Sequence, residues 1–231
     1  MMDEPTLMRI DAADTVFWGD LDVPHGACGQ VLFAHASGSS RHSLRNQQVV
    51  EVLQRSHLGT LLFDLLSAEE EEIDEETHCL RTDIPRLAQR LLATTDWVLR
   101  QPDLGALGLG YFGSGTGAAA ALVAAAERRE LVRAVVTRGG RTDLAGPALE
   151  RVVAPTLLIV GERDPDVLAQ NREAAARLGG PVELVVVPEA THRFEEPGAL
   201  EEVARRAADW FARHLCLAPD VCGVHARATL R

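Results

Sequence analysis

The chain has 231 residues, 46% of them hydrophobic, and a formal net charge of -11. This length is enough for one domain with a sizeable core. The acidic balance argues against nucleic acid as a partner, because phosphate binding needs clustered Lys and Arg.

Short apolar runs alternate with longer helical stretches along the chain. Strands are predicted at 6–10, 16–24, 30–35, 60–66, 107–113, 132–139, 155–161 and 182–190, and helices at 43–56, 83–101, 115–131, 166–180 and 195–215. The later apolar runs are almost continuous Val, Leu and Ile, as is typical of parallel strands buried on both faces. The first two strands have no helix between them, so we expect them to pair antiparallel.

This alternation predicts an α/β protein with a mostly parallel, doubly wound, eight-stranded sheet flanked by helices. We expect a single domain at 1–215 and a C-terminal tail at 216–231. The run at 69–76 has seven acidic residues in eight. A solvated loop is the default interpretation of that run, and a pocket rim is the alternative.

Two further features bear on location and ligands. The start of the chain is acidic and lacks a signal peptide pattern, and no apolar run reaches the roughly 18 residues that span a bilayer. We therefore expect a cytoplasmic protein without a membrane partner. The glycines at 108–113 match G-x-G-x-x-G only in part and do not lie in an early strand–turn–helix unit, so no cofactor is predicted.

The cysteines show no metal-site spacing and no C-x-x-C pair. Free thiols are the first interpretation, and a Cys216–Cys222 disulfide is the alternative. The four cysteines are Cys28, Cys79, Cys216 and Cys222.

All 23 basic residues are arginine, so no lysine can act as a base or form a Schiff base.

Polar residues follow the late predicted strands, where open parallel sheets bind their ligands. Asp143, Asp164 and His192 each come after one of these strands. An acid followed by a histidine in this order matches the chain order of an α/β-hydrolase. His192 would then act as the base and Asp164 as the acid that orients it, with Asp143 as the alternative acid.

The chain resembles the dienelactone hydrolase-like group of α/β-hydrolases over about residues 16–215. The motifs that carry the resemblance are FAHASGSS at 33–40, GERDPDV at 161–167 and PEATHRF at 188–194. They are similar to the family's oxyanion loop, acid turn and histidine turn. The resemblance implies the α/β-hydrolase fold, ester hydrolysis and a small-molecule substrate. We expect a monomer or a homodimer.

The nucleophile turn of such hydrolases needs small residues two positions either side of its apex. Centring the turn on Ser114 places Phe112 and Thr116 at these flanks, which are too bulky and too β-branched. Centring it on Gly115 places glycine at both. We therefore predict that Gly115 is the apex, with φ above zero, and that Ser114 lies one residue before it. Recruitment of Ser114 by a distorted turn is the alternative.

The oxyanion loop also departs from the family pattern. Ala36 stands where the family usually has glycine, and its methyl group would crowd the site. Ala36, Ser37 and the Thr116 N–H are the predicted oxyanion or substrate-binding groups. These changes suggest a repurposed or redesigned site, or drift after loss of catalysis. A catalytically impaired pseudo-hydrolase that binds a small molecule is therefore the alternative to an esterase.

Overall fold

Residues 5–11, 15–35 and 41–216 are described by a computed structural model of the protein. The strands in this part of the chain are β1 (Thr6–Asp11), β2 (Val16–Asp22), β3 (Gly29–Ala34), β4 (Leu58–Phe63), β5 (Gly108–Ser114), β6 (Val132–Arg138), β7 (Thr156–Gly161) and β8 (Val182–Val187). The α-helices there are α1 (Leu44–Arg55), α2 (Ala68–Thr77), α3 (Ile84–Leu99), α4 (Thr116–Glu127), α5 (Pro165–Arg177) and α6 (Ala199–Leu215). Short 3₁₀ segments lie at Leu80–Thr82 and Thr142–Arg151.

The eight strands of the described residues form one sheet in the order β1-β2-β4-β3-β5-β6-β7-β8. β1 pairs antiparallel with β2, and β2 antiparallel with β4, while the remaining neighbours are parallel. The predicted strands and the antiparallel opening pair are confirmed. Because the parallel strands run the same way, their carboxyl ends gather at one edge of the sheet, where the site is expected.

Helices cover both faces of the sheet. α3 and α4 pack on one face, and α1 and α6 pack on the other. The start of α3 follows its sequence: the Asp83 side chain accepts the Arg86 N–H at 3.2 Å, and a proline occupies the first turn. At the start of α5, Asp164 occupies the N-cap position, and its side chain makes no capping bond.

The acidic run is a helix, so its prediction as a loop was wrong. Ser67 and Glu70 form a capping box at the start of α2. Glu70 also pairs with the buried Arg90, and the buried Asp74 pairs with Arg81. These arginines come from outside the run and neutralise part of its charge. Local repulsion therefore does not prevent the helix from forming.

The prediction of free thiols was wrong for two cysteines. Cys28 and Cys216 form a disulfide across 188 positions of sequence, whereas Cys79 is free and exposed. The bond also rules out the Cys216–Cys222 pairing; Cys222 lies outside the described residues. The contact arises because the end of α6 reaches the start of β3. A Cβ added to Gly29 would lie 2.6 Å from the Cβ of Leu215.

Candidate active site

The turn between β5 and α4 has the strained backbone expected of a nucleophile turn. Gly115 has φ 54° and ψ -127°, a conformation that residues with a side chain rarely adopt. Ser114 is still part of β5, where it is the register partner of Arg138. The prediction that Gly115, not Ser114, has the positive φ is confirmed.

The flanks of this turn have no room for a side chain. A Cβ added to Gly113 would lie 2.6 Å from the Cα of Ala118, and one added to Gly117 would overlap the carbonyl oxygen of Ala34. α4 therefore begins in direct backbone contact with the end of β3. The packing supports the register centred on Gly115, because it explains why both flanking positions are glycine.

Asp164 and His192 meet at the carboxyl edge of the sheet. Nδ1 of His192 lies 2.6 Å from Oδ2 of Asp164, within the predicted distance of about 3 Å. The acid follows β7 and the histidine follows β8, so two neighbouring strands deliver the pair. His192 is 55% exposed at its side chain, which leaves its ring accessible to water. A carboxylate at Nδ1 fixes the tautomer that presents Nε2 as a base.

The histidine ring lies beside the strained turn. A Cβ built on Gly139 would be 3.4 Å from both Cε1 and Nδ1 of His192. Gly139 directly follows Arg138, the register partner of Ser114, so Gly139 and Gly115 occupy matching positions on adjacent strands. Adjacent strands are about 4.8 Å apart, and the ring is therefore within reach of the space above Gly115.

The alternative acid has a different partner. Asp143 accepts from Nε and Nη2 of Arg141 at 2.9 and 2.8 Å, which lowers the pKa of its carboxyl. The backbone N–H of Arg141 donates to the carbonyl of Gly115 at 2.9 Å. The segment that carries Asp143 therefore supports the turn, while the carboxylate that contacts His192 belongs to Asp164.

Of the three predicted oxyanion or substrate-binding residues, the structure describes only Thr116. Ala36 and Ser37 lie outside the described residues. Thr116 is the first residue of α4, and backbone N–H groups in a helix's first turn have no intrahelical partner. The Thr116 N–H therefore has no intrahelical partner and stands directly after the turn.

Asp64 binds the residues on both sides of segment 36–40, and the sequence analysis missed it. Its Oδ1 accepts the backbone N–H of Arg41 at 2.8 Å and lies 3.3 Å from Nε2 of His35. Burial by itself would raise the pKa of Asp64, but these two partners outweigh that effect and lower it to about 2. Asp64 directly follows β4. The strand-end rule that found Asp164 would have found it too.

A cavity of about 360 Å³ opens next to this carboxylate. Trp18, Arg41, Asp64, Glu69 and Glu71 are among its lining residues. Two members of the acidic run thus rim a pocket, as the alternative interpretation expected. Burial and the neighbouring carboxylate of Asp64 raise the pKa of Glu71.

Two kinds of feature are absent from residues 5–11, 15–35 and 41–216. No helix in these ranges combines the length and the apolar character needed to cross a membrane. Within the same ranges, His, Cys, Asp and Glu side chains form no group of three or more suited to holding a metal ion.

Comparison with known proteins decides the family. The model of the dienelactone hydrolase family matches residues 51–217. The chain belongs to the dienelactone hydrolase family. A crystal structure of dienelactone hydrolase from Anabaena variabilis is 53% identical, with a TM-score of 0.90 over 93% of this chain and all of the other. The eight-stranded α/β-hydrolase fold is therefore shared within the family.

Other relatives extend the comparison. Two curated proteins of Mycobacterium tuberculosis, each named "Putative phosphoribosyl transferase", are 58% identical over 198 residues. That match covers 86% of this chain but only 44% of the length of each relative. Est1E from Butyrivibrio proteoclasticus, at 15% identity and a TM-score of 0.75 over 90% of this chain and 98% of its own, shares the fold.

Proposed function

We propose that this protein has the scaffold of an ester hydrolase, with Gly115 at the position of the nucleophile. The observation that carries the proposal is the 2.6 Å pair of Asp164 and His192 beside a strained turn that has no side chain. The scaffold thus supplies a base and its orienting acid but no attacking oxygen at the apex. The ligand that we propose is a small-molecule ester, consistent with the esterases among its structural neighbours.

Hydrolysis on this scaffold takes a non-covalent route. Nε2 of His192 removes a proton from a water molecule, and the water oxygen forms a bond to the ester carbonyl carbon. The Thr116 N–H donates to the oxygen that becomes negative. Collapse of this intermediate breaks the bond to the leaving alkoxide, which takes the proton from His192. No acyl-enzyme forms, and loss of the nucleophile costs on the order of 10⁶ in kcat relative to a complete triad.

Ser114 does not supply the missing oxygen in this proposal. It lies two residues after Phe112 on β5, and alternate residues of a strand face the same side of the sheet. Phe112 stacks on Phe33 in the layer covered by α1 and α6, with ring centroids 4.8 Å apart. The Ser114 side chain therefore belongs to that layer.

The proposal is tested by a variant that places a serine hydroxyl group at position 115 and by a matched variant without the hydroxyl group. Gly115→Ser and Gly115→Ala place the same Cβ at φ 54° and carry the same backbone strain. Only the first adds a hydroxyl group. With p-nitrophenyl acetate, we expect kcat/KM of Gly115→Ser to exceed that of Gly115→Ala by about 10³-fold or more.

A specific observation favours a second function. Gly115 has no nucleophilic atom, so the same pocket can serve as a small-molecule binding module. Equal rates in the unmodified chain and in the two variants, with all three shown to be folded by circular dichroism, would overturn the hydrolase proposal. The binding module would then be the better account of the site.

A further inference from the structure

A buried arginine on the strand next to the turn has no ion-pair partner among the described residues. Arg138, the last residue of β6, is only 7% exposed. Its Nη2 donates to Oδ1 of Asn46 at 3.3 Å, and its buried Nη1 has no hydrogen-bond partner among the residues that the structure describes. Within residues 5–11, 15–35 and 41–216, no carboxylate forms an ion pair with it. Burying an unpaired guanidinium is strongly unfavourable, so an anion bound beside it would stabilise this arrangement.

Arg138 remains a cation at neutral pH. Burial, and secondarily the positive charge of Arg45, lower its pKa to about 10. The side chain lies over Phe112, with its guanidinium carbon 5.9 Å from the ring centroid. A cation–π contact of this kind offsets only part of the cost of burial. The uncompensated part is charge that a bound anion can neutralise.

The start of α1 adds positive potential at the same place. Asn46, the partner of Arg138, lies in the first turn of this 12-residue helix and is fully buried. The N-cap residue, Ser43, makes no side-chain capping bond, and the first turn contains no acidic residue. Backbone N–H groups that point out of a first turn and the helix dipole both favour an anion at such a terminus.

A second arginine lies in that turn. Arg45 contacts Glu195 at 3.4 Å, and both side chains are solvent-accessible, so the pair is weak and can open. The positive charge of Arg45 acts on Arg138, so two guanidinium groups lie near each other at this helix N-terminus. Two positive charges match a phosphate, which carries about -1.5 to -2 at neutral pH, better than they match a carboxylate.

We propose that Arg138, Asn46 and the N-terminus of α1 form a binding site for the phosphate group of a ligand. Ser114 is the register partner of Arg138 and faces the same layer, so its hydroxyl group is placed to donate as well. Since Gly115 follows Ser114 directly, a ligand held by its phosphate at this site lies next to the turn. The proposal does not depend on ester hydrolysis.

Inorganic phosphate is the probe that tests this site. We expect it to raise the melting temperature of the unmodified protein saturably, above the effect of sodium chloride at equal ionic strength. Acetate, with one negative charge, should give a smaller shift. Arg141→Gln removes a neighbouring arginine that is already paired with Asp143, and it should leave the response to phosphate intact.

Asn46→Asp is the decisive variant, because it gives Arg138 a carboxylate without changing the shape of the site. We expect a higher melting temperature without phosphate and a dissociation constant for phosphate that is at least about 10-fold weaker. Two results would overturn the site: no saturable response of the unmodified protein beyond the salt control, or an equal response in Asn46→Asp.

Discussion

At the scale of single residues, the pair of Asp164 and His192 can be tested once an attacking oxygen is present. In the Gly115→Ser background, Asp164→Asn should lower kcat/KM for p-nitrophenyl acetate by about 10³–10⁴-fold, because the imidazole loses its orienting carboxylate. Asp143→Asn is the matched control and should change the rate little, since Asp143 pairs with Arg141. A larger loss in the control would assign the acid to Asp143.

Asp64 gives a prediction about pH. Its folded-state pKa of about 2 lies below the usual 3.8, so its contribution to stability is present above about pH 4 and is lost as the pH falls towards 2. Asp64→Asn should remove about 1–2 kcal/mol of unfolding free energy at pH 7, after allowance for solvent screening. The measurement is urea unfolding from pH 2 to 7. If Asp64→Asn changed neither the stability at pH 7 nor its decline in acid, the contacts with His35 and Arg41 would be without energetic effect.

The sequence predicted some of these residues for reasons that can be named. Asp164 and His192 follow strands whose carboxyl ends must meet in a parallel sheet, so their proximity could be inferred. Gly115 could be placed because Gly113 and Gly117 match the small flanking residues that a nucleophile turn needs. Arg138 could not be assessed in the same way, because its burial depends on α1, nearly a hundred residues earlier in the chain.

At the scale of elements, α2 depends on partners outside itself. Glu70→Ala removes both a capping bond and the carboxylate that faces the buried Arg90, so we expect a loss of about 3–5 kcal/mol in unfolding free energy. Glu72→Ala, on an exposed position of the same helix, should cost less than about 0.5 kcal/mol. Equal effects in chemical denaturation would show that the ion pair with Arg90 does not stabilise the helix.

The regular elements were predictable where their periodicity was strong. The runs of β6 and β7 are short and rich in β-branched residues, which indicates strands, and the apolar spacing of α3 indicates a helix. α2 lacks such a pattern, because seven of the eight residues at 69–76 are acidic. Its stability comes from ion pairs with Arg90 on α3 and with Arg81. Ion pairs with residues outside the helix produce no periodic pattern in the sequence.

At the scale of the whole molecule, the Cys28–Cys216 disulfide joins the end of α6 to the segment before β3. It closes a loop of 188 positions, and a link of that length should stabilise the fold by about 2–5 kcal/mol. Cys28→Ser should therefore lower the melting temperature, while Cys79→Ser should not. A reductant should lower the melting temperature of the unmodified protein but not that of Cys28→Ser. An unchanged melting temperature in Cys28→Ser would contradict the bond.

The overall topology follows from the alternation of strands and helices, since βαβ units impose a right-handed, parallel arrangement. The contact that closes the molecule was not predictable in the same way. Cys28 and Cys216 approach each other only when α6 packs across the sheet. No sequence motif next to either cysteine indicates that they pair.

The central claim, that Gly115 occupies the position of a nucleophile beside a competent histidine, is tested most directly by covalent labelling. A fluorophosphonate reacts with an activated serine: the serine oxygen bonds to phosphorus and fluoride leaves. By mass spectrometry of the intact and digested protein, we expect no label on the unmodified chain. We expect one label at position 115 of Gly115→Ser, and none when His192→Ala is added. Labelling of the unmodified chain at Ser114, or no labelling of the folded Gly115→Ser variant, would contradict the claim.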